Sequence, residues 1–339
     1  MIILAFLLTS TVLGQGGGFS KETHDASPPA SSSVSTHLVA FGDWGDFRHT
    51  DSLDRINLFL KDQSPQAVLL LGDNFNPHGI DPNLGLADPK FALFTDHLAA
   101  NLSIPFISVL GHKDELRGTN SSKFQVEYSQ INPYWIMPSS NFFLTVVETV
   151  CIWGINSNII REVAEIQEID AQIEHDLENY NCRWKVMISH LPMMTAGVYR
   201  TNADVRVFRK SLLPIVLKHS FDFVLSSHDH SAQAIQYPGN NSPAFIISGA
   251  AVSSTQRSID GSSFPLPGGG RLVWGDDSGP NVVVSLNFRQ DDAEINFVRI
   301  RDNGEYDTLF TANKNRPIPD HPDALSLGTI LSRINEEED

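Results

Sequence analysis

The sequence predicts an α/β protein with two packed mixed β-sheets and helices on their outer faces. In the first half, short apolar runs typical of strands buried on both faces alternate with segments that repeat apolar residues at helical spacing. The last third changes to strands joined by short turns such as Asp302-Asn303-Gly304. This order of elements favours sheets covered by helices. Several apolar runs also end in an Asp or His side chain, at the position where open α/β sheets bind their ligands.

The first half of the chain predicts strands separated by helices. Leu53, Ile56 and Leu60 recur on one face of the first helix. Asp88-Pro89 supplies an N-cap and a first-turn proline for the second helix. In order, the predicted elements are strand 37–42, helix 51–63, strand 67–71, helix 89–101 and strand 105–110.

The second half predicts a strand pair, two helices and a return to β structure. The helix over 162–179 places Ile166, Ile169 and Ile173 on one face, opposite an acidic face that is explained as solvated surface. The second helix, over 204–219, contains Pro214, which can kink it. The predicted strands are 142–147 paired with 150–156, then 185–189, 221–225, 244–247, 282–287, 295–300 and 306–310.

The two ends of the chain differ in composition from the part between them. Residues 1–14 hold an apolar run followed by small residues, which predicts a secretory signal peptide. Residues 15–35 are rich in Gly, Ser and Pro and predict a flexible lead-in. We therefore expect one domain over 36–317, followed by an acidic tail over 318–339.

Charge and hydropathy limit the partners. The formal net charge of −16 excludes nucleic acid and anionic membranes, because both require a basic surface. No later segment reaches the roughly 18 apolar residues of a membrane span, so we expect a soluble protein after signal cleavage. Glycosylation triplets at Asn101, Asn120 and Asn240 fit a secreted or lysosomal route. Cys151 and Cys182 can pair there or stay as buried thiols, and the sequence leaves both open.

Five side chains at the ends of apolar runs offer metal-binding groups: Asp43, Asp73, His190, His228 and His230. Two carboxylates with three imidazoles suit Zn, Fe or Mn and contain too much nitrogen for a calcium site. Residues two apart in an extended segment project to the same side, so His228 and His230 can serve adjacent ions. Two ions sharing a carboxylate can hold both oxygens of a phosphoryl displacement and acidify bound water to hydroxide. The pattern therefore predicts a two-metal site for phosphoryl chemistry.

Five motifs follow one another along the chain: Gly42-Asp-Trp-Gly45, Gly72-Asp-Asn74, Gly111-His-Lys-Asp114, Ser189-His190 and Ser227-His-Asp-His230. In this series the chain resembles the calcineurin-like metallophosphatases, and among them the small purple acid phosphatases, also called tartrate-resistant acid phosphatases. The likeness extends from about Thr36 to Pro317. It implies a four-layer α/β/β/α sandwich and an enzyme that hydrolyses phosphomonoesters with a hydroxide bound to two metal ions.

The resemblance also implies a division of the ligands between the two ions. Asp43 and His230 would hold one ion, His190 and His228 would hold the other, and Asp73 would bridge them.

Four positions depart from the family pattern. Asn76 stands where the family carries an iron-binding tyrosinate, and a weak neutral amide disfavours trivalent iron. His112 replaces an asparagine and can act as a ligand to the second ion. Lys113 replaces a histidine that contacts phosphate; it supplies charge but is a poor proton donor, since its reference pKa is about 10.4. Tyr199 falls where the family has a histidine that assists the leaving group.

These observations leave three hypotheses. The first is a secreted metallophosphatase that acts on a phosphorylated small molecule or protein, with Lys113 and Tyr199 stabilising the phosphate and with activity reduced or altered by their substitution. The second is a catalytically degenerate relative that keeps the fold as a scaffold or binding protein. The third, a closed structural metal site, is disfavoured because strand-end loops form open sites and structural zinc prefers thiolates.

Overall fold

The computed structural model describes residues 35–115, 121–159, 163–239, 242–254, 259 and 266–315. The strands in chain order are β1 Thr36–Phe41, β2 Ala67–Leu70, β3 Phe106–Ser108, β4 Trp135–Ile136, β5 Phe142–Val147, β6 Val150–Ile155, β7 Trp184–Ser189, β8 Phe223–Ser226, β9 Ala232–Gln236, β10 Ala244–Ser248, β11 Arg271–Asp276, β12 Val282–Phe288, β13 Asp292–Ile300 and β14 Tyr306–Asn315. The helices are α1 Thr50–Gln63, α2 Lys123–Tyr128, α3 Val163–Asn179 and α4 Ala203–Lys218, with a π-helical segment over Leu93–Leu98.

The described strands form two mixed sheets. The first has the order β14-β13-β12-β1-β2-β3-β4, with parallel pairing from β1 to β4 and antiparallel pairing elsewhere. The second has the order β11-β9-β10-β8-β7-β6-β5, with β6, β7, β8 and β10 parallel and the outer pairs antiparallel. Each sheet therefore has a block of parallel strands whose carboxyl ends lie at one edge, where loops can form a site.

Alternation along the strands distributes apolar side chains over three layers. In β1, Leu38 and Ala40 pack between the two sheets, whereas Val39 and Phe41 pack with α1 and the π-helical segment. On the far side, α3 and α4 pack on the outer face of the second sheet, where Met187 of β7 contributes. The order of layers is helix, sheet, sheet, helix, which confirms the predicted α/β/β/α sandwich.

The strand pattern in the sequence predicts most of the sheets. The predicted pairing of 142–147 with 150–156 is confirmed, with residue 156 left outside β6. The sequence does not predict α2, β4, β9 or β11. β4 has only two residues. β9 consists of two alanines, two glutamines and one isoleucine, and β11 is interrupted by Gly and ends in Asp. Segments this short, or interrupted by residues that strands disfavour, give no clear strand pattern in the sequence, and they are strands because neighbouring strands pair with them.

Most predicted elements differ from the observed ones by up to three residues at an end, and two differ more. The helix predicted over 89–101 is largely a π-helical segment over Leu93–Leu98, in which Ala99 N donates to Phe94 O, five residues earlier. The strand predicted to end at residue 310 continues to Asn315, because the polar end of β14 pairs with β13. The helix α4 continues through Pro214 to Lys218.

Several features predicted from the sequence fall outside the described residues. These are the signal peptide over 1–14, nearly all of the lead-in over 15–35, the tail over 318–339 and the triplets at Asn120 and Asn240. Among the helices that the structure describes, none combines the length and the apolar character needed to cross a bilayer.

Cys151 in β6 and Cys182 in the loop before β7 form a disulfide across a sequence separation of 31 residues. The bridge decides between the two alternatives that the sequence left open. It closes a loop that contains α3.

Replacing both cysteines by serine is expected to lower the free energy of unfolding by about 3–4 kcal/mol, because a loop of 31 residues then gains entropy in the unfolded chain. Urea unfolding of the double variant beside the wild-type protein measures the difference, and reductant should bring the wild type to the value of the variant. A difference near zero would contradict a stabilising role for the bridge.

Candidate metal centre

The metal-binding side chains predicted from the sequence lie at the edge where the parallel strands of both sheets end. Asp43 follows β1 and Asp73 follows β2, both in the first sheet. His190 follows β7 directly, and His228 and His230 follow β8, all in the second sheet. The centre is therefore built by two sheets together.

The backbone at these strand ends has a conformation that is uncommon for residues with a side chain. Asp43, Asp73, His228 and His230 have φ values of 57, 54, 66 and 47°. L-residues adopt this region at a cost of about 1–2 kcal/mol each. Gly111 belongs to the same arrangement, because a Cβ at this position would collide with the backbone and carboxylate of Asp73. The loops thus combine strained backbone dihedral angles with close contact between the Gly111 backbone and Asp73, and such strain is typical of functional sites.

One half of the centre is formed by three histidines. His190 Nε2 lies 2.9 Å from His112 Nδ1, 3.1 Å from His228 Nδ1 and 3.3 Å from Asp73 Oδ1. His190 Nδ1 lies 3.0 Å from Leu71 O, and because a carbonyl only accepts, Nδ1 carries the ring hydrogen and Nε2 presents its lone pair. Three ring nitrogens and one carboxylate oxygen therefore converge, which is a donor set that fits a transition-metal ion.

The buried rings are uncharged near neutral pH. Burial lowers the pKa of His190 to about 4. Burial, followed by repulsion from His190 and His112, lowers the pKa of His228 to about 2. Burial and the charge of Lys113 lower the pKa of His230 to about 4. Neutral imidazole is the form that binds metal, so the surroundings favour the ligand form of each ring.

The other half contains buried oxygens that no described donor satisfies. Asp43 Oδ2 accepts a hydrogen bond of 2.8 Å from His228 N, but Asp43 Oδ1 is buried without a hydrogen-bond partner and lies 3.6 Å from His230 Nε2. His230 Nδ1 is in turn 2.8 Å from Ser253 Oγ. Asn76 Oδ1 is also buried and without a partner among the described residues. Such oxygens normally cost about 1–3 kcal/mol each, and a cation would satisfy them.

Asn76 lies on the loop after Asp73, where its N–H donates to Gly45 O at 2.7 Å. This hydrogen bond joins the loop after β2 to the loop after β1, which carries Asp43. The side chain of Asn76 makes no described hydrogen bond to the other predicted ligands.

Lys113 contacts the carboxylate that the sequence predicts as a bridge. Its Nζ lies 3.0 Å from Asp73 Oδ2, and its backbone N–H donates to Asp73 Oδ1 at 2.9 Å. Burial acts to lower the pKa of Lys113, but the carboxylates of Asp73 and Asp43 outweigh it and raise that pKa, so the side chain is an ammonium. Burial and repulsion from Asp73 raise the pKa of Asp43 well above its ordinary value.

Tyr199 lies beside the histidine half of the centre. Its ring centroid is 4.3 Å from that of His228, and its backbone N–H donates to Asp229 Oδ1 at 3.1 Å. Asp229 is buried and also accepts from Thr195 Oγ1 and from Gln233 Nε2, the latter at 3.1 Å. No sequence pattern indicates a role for Asp229, although it stands between the predicted ligands His228 and His230.

Asp114 is a second acidic residue whose role is not predicted from the sequence. Its carboxylate accepts hydrogen bonds of 2.7–3.0 Å from the backbone of Gly111, Asn74 and Phe75 and from Gln125 Nε2. Burial and the charge of Asp73 raise its pKa to about 6. The residue fixes the loop of His112 and Lys113 against the loop of Asp73. Its place at the end of the Gly111–Asp114 motif was the available signal.

A separate acidic cluster lies on α3 and at the end of α4. Asp170, Glu174 and His219 bring ligand-type atoms together. The Lys218 ammonium lies 2.7 Å from Asp170 and 2.6 Å from Glu174, so a cation of the chain itself already balances these charges. The cluster is explained as an ion-pair network that connects the two helices.

Comparison with known proteins identifies relatives. The sequence profile of the calcineurin-like phosphoesterases matches residues 36–232. Purple acid phosphatase 4 of Arabidopsis thaliana is 22% identical over 259 residues, which cover 69% of this chain and 72% of the relative.

Two solved structures share the fold. GAP50, described as the anchor in the inner membrane complex of Plasmodium, has a TM-score of 0.64 at 18% identity, with 88% of this chain and 95% of GAP50 covered. The purple acid phosphatase PPD1 of yellow lupin, Lupinus luteus, has a TM-score of 0.64 at 14% identity, with 86% of this chain covered. This chain spans only 55% of the lupin protein.

The profile match covers more than half of the chain and includes every predicted metal ligand, from Asp43 to His230. The chain therefore belongs to the calcineurin-like phosphoesterase family, and within that family it is similar to the purple acid phosphatases.

Proposed function

We propose that this protein is a metal-dependent phosphatase that hydrolyses phosphomonoesters of small molecules or proteins. The observation that carries the proposal is the convergence of the ring nitrogens of His112 and His228 on His190 Nε2. Asp73 Oδ1 lies 3.3 Å from both the His112 and the His190 nitrogen. A structural role does not require such a set, because His190 Nε2 has one lone pair and can accept a hydrogen from only one of the two neighbouring ring nitrogens.

The residues divide into two groups of ligands. His112, His190 and His228 with Asp73 Oδ1 would hold one ion. Asp43, His230 and the amide oxygen of Asn76, with Asp73 as the shared carboxylate, would hold the other. The absence of a tyrosinate from this set favours divalent Zn, Fe or Mn over trivalent iron.

When bound, such ions act as Lewis acids toward phosphoryl oxygens and lower the pKa of water. The chain itself supplies the rest of the binding site. The Lys113 ammonium, 28% exposed, can attract a phosphate to a protein whose net charge of −16 otherwise repels it. Tyr199 borders the same edge through its contact with His228. Since a lysine is a weak acid, esters with poor leaving groups should react slowly.

We place the protein in the secretory or lysosomal pathway. The apolar start over 1–14 supports this assignment, and so does the disulfide between Cys151 and Cys182. The glycosylation triplets are consistent with it.

A second candidate function is a scaffold or binding role. The replacement of two proton-handling histidines by Lys113 and Tyr199 favours it, because selection for turnover would normally keep them. GAP50, which has a similar fold, is itself described as an anchor.

Asp73→Asn is expected to lower the hydrolysis of p-nitrophenyl phosphate at least about 100-fold, because an amide is a poor ligand and no longer balances two ions. The matched control is Asp51→Asn, which removes the same charge from an exposed position in the first turn of α1. Turnover is measured with added Zn²⁺ or Mn²⁺ from acidic to slightly alkaline pH. Equal loss in both variants, or wild-type protein that binds metal without turnover, would contradict the phosphatase proposal and favour the scaffold role.

Lys113→His is expected to raise turnover of an alkyl phosphate by about 100-fold while changing p-nitrophenyl phosphate much less, since only the alkyl ester requires a proton at its leaving oxygen. The ratio of the two kcat/KM values is the readout. An unchanged ratio would show that a missing proton donor does not limit the reaction.

A further inference from the structure

The carboxylate of Asp73 divides its two oxygens between different kinds of partner. Oδ1 lies 3.3 Å from both His112 Nδ1 and His190 Nε2, on the histidine side. Oδ2 lies 3.0 Å from Lys113 Nζ, on the other side. The side chain of Asp73 is fully buried, and this ammonium is the ion-pair partner of Oδ2, although the contact lacks hydrogen-bond geometry.

Lys113 is held in this position by its own loop. Its backbone N–H donates to Asp73 Oδ1, and Asp114 fixes the start of the loop through Gly111 N at 2.7 Å. The Lys113 side chain is 28% exposed, whereas His112, its neighbour, is 43% exposed. The lysine is thus directed inward, toward the buried carboxylate of Asp73, rather than outward into solvent.

Charge explains why the position is favourable. Asp43 and Asp73 are both buried, and Lys113 Nζ lies 3.0 Å from Asp73 Oδ2. The single positive charge of Lys113 therefore performs part of the work that a metal ion would otherwise perform. A divalent ion at the same oxygens would repel the ammonium at close range.

We propose that the Lys113 ammonium competes with a metal ion for the carboxylate half of the centre, which consists of Asp43, Asn76, His230 and Asp73 Oδ2. The histidine half then binds metal tightly, and the second ion binds only when the ammonium moves away. This inference rests on the ligand groups of the proposed function. It predicts a centre that changes between one and two ions with metal concentration, and a fold that does not need the second ion for charge balance.

Zn²⁺ titration by calorimetry, with metal content after gel filtration, tests the proposal. The wild-type protein is expected to give two steps whose Kd values differ by at least about 100-fold, and to retain one equivalent. Lys113→Met should tighten the second step at least about tenfold and retain two equivalents, whereas Lys113→Arg should behave like the wild type. The control Lys61→Met removes the same charge from an exposed position at the end of α1 and should change neither step.

Melting temperature provides a second readout if Lys113→Met folds poorly. In EDTA the variant should melt below the wild type, and Zn²⁺ should remove most of the difference. One wild-type step for two equal sites, a second Kd that Lys113→Met leaves unchanged, or no binding by any variant would overturn the proposal. These experiments measure metal binding and not turnover. A protein that shows this binding pattern but hydrolyses no phosphate ester would therefore reject the proposed phosphatase activity alone. An active enzyme with two equal metal sites would reject the proposed competition by Lys113 alone.

Discussion

The buried carboxylate of Asp73 is the contact on which the centre depends. Its two oxygens meet histidines of both sheets on one side and the Lys113 ammonium on the other. A charged group buried in a low-dielectric interior is costly unless it is paired and hydrogen-bonded. Here the Lys113 ammonium lies 3.0 Å from Oδ2, and the Lys113 backbone N–H donates to Oδ1. The fold brings these groups together by ending parallel strands of two sheets at one edge.

Rigid support offsets the strain of this arrangement. Asp43, Asp73, His228 and His230 all have positive φ, which the surrounding structure must impose. The apolar layer between the sheets anchors the strands from which these residues emerge, and Asp114 connects two of the loops directly. The ligands of the centre are therefore held by loops whose conformation the surrounding strands fix.

Sequence reasoning predicts the fold class well because alternation and buried runs carry most of the information. It also predicts which side chains meet, since Asp43, Asp73 and the histidines all follow such runs. It does not predict Asp114 or Asp229, whose importance lies in hydrogen bonds to distant backbone groups rather than in a local pattern. The short strands β9 and β11 are not predicted from the sequence either, because pairing with neighbouring strands, rather than a clear pattern of their own, makes them strands.

The measurement that tests the central claim most directly is anomalous X-ray scattering from crystals grown with Zn²⁺. We expect the strongest anomalous peak of zinc among His112, His190 and His228, within bonding distance of Asp73. No peak at that position, with zinc found instead at Asp170, Glu174 and His219, would contradict it, because the converging donors at the strand ends would then not form a metal centre.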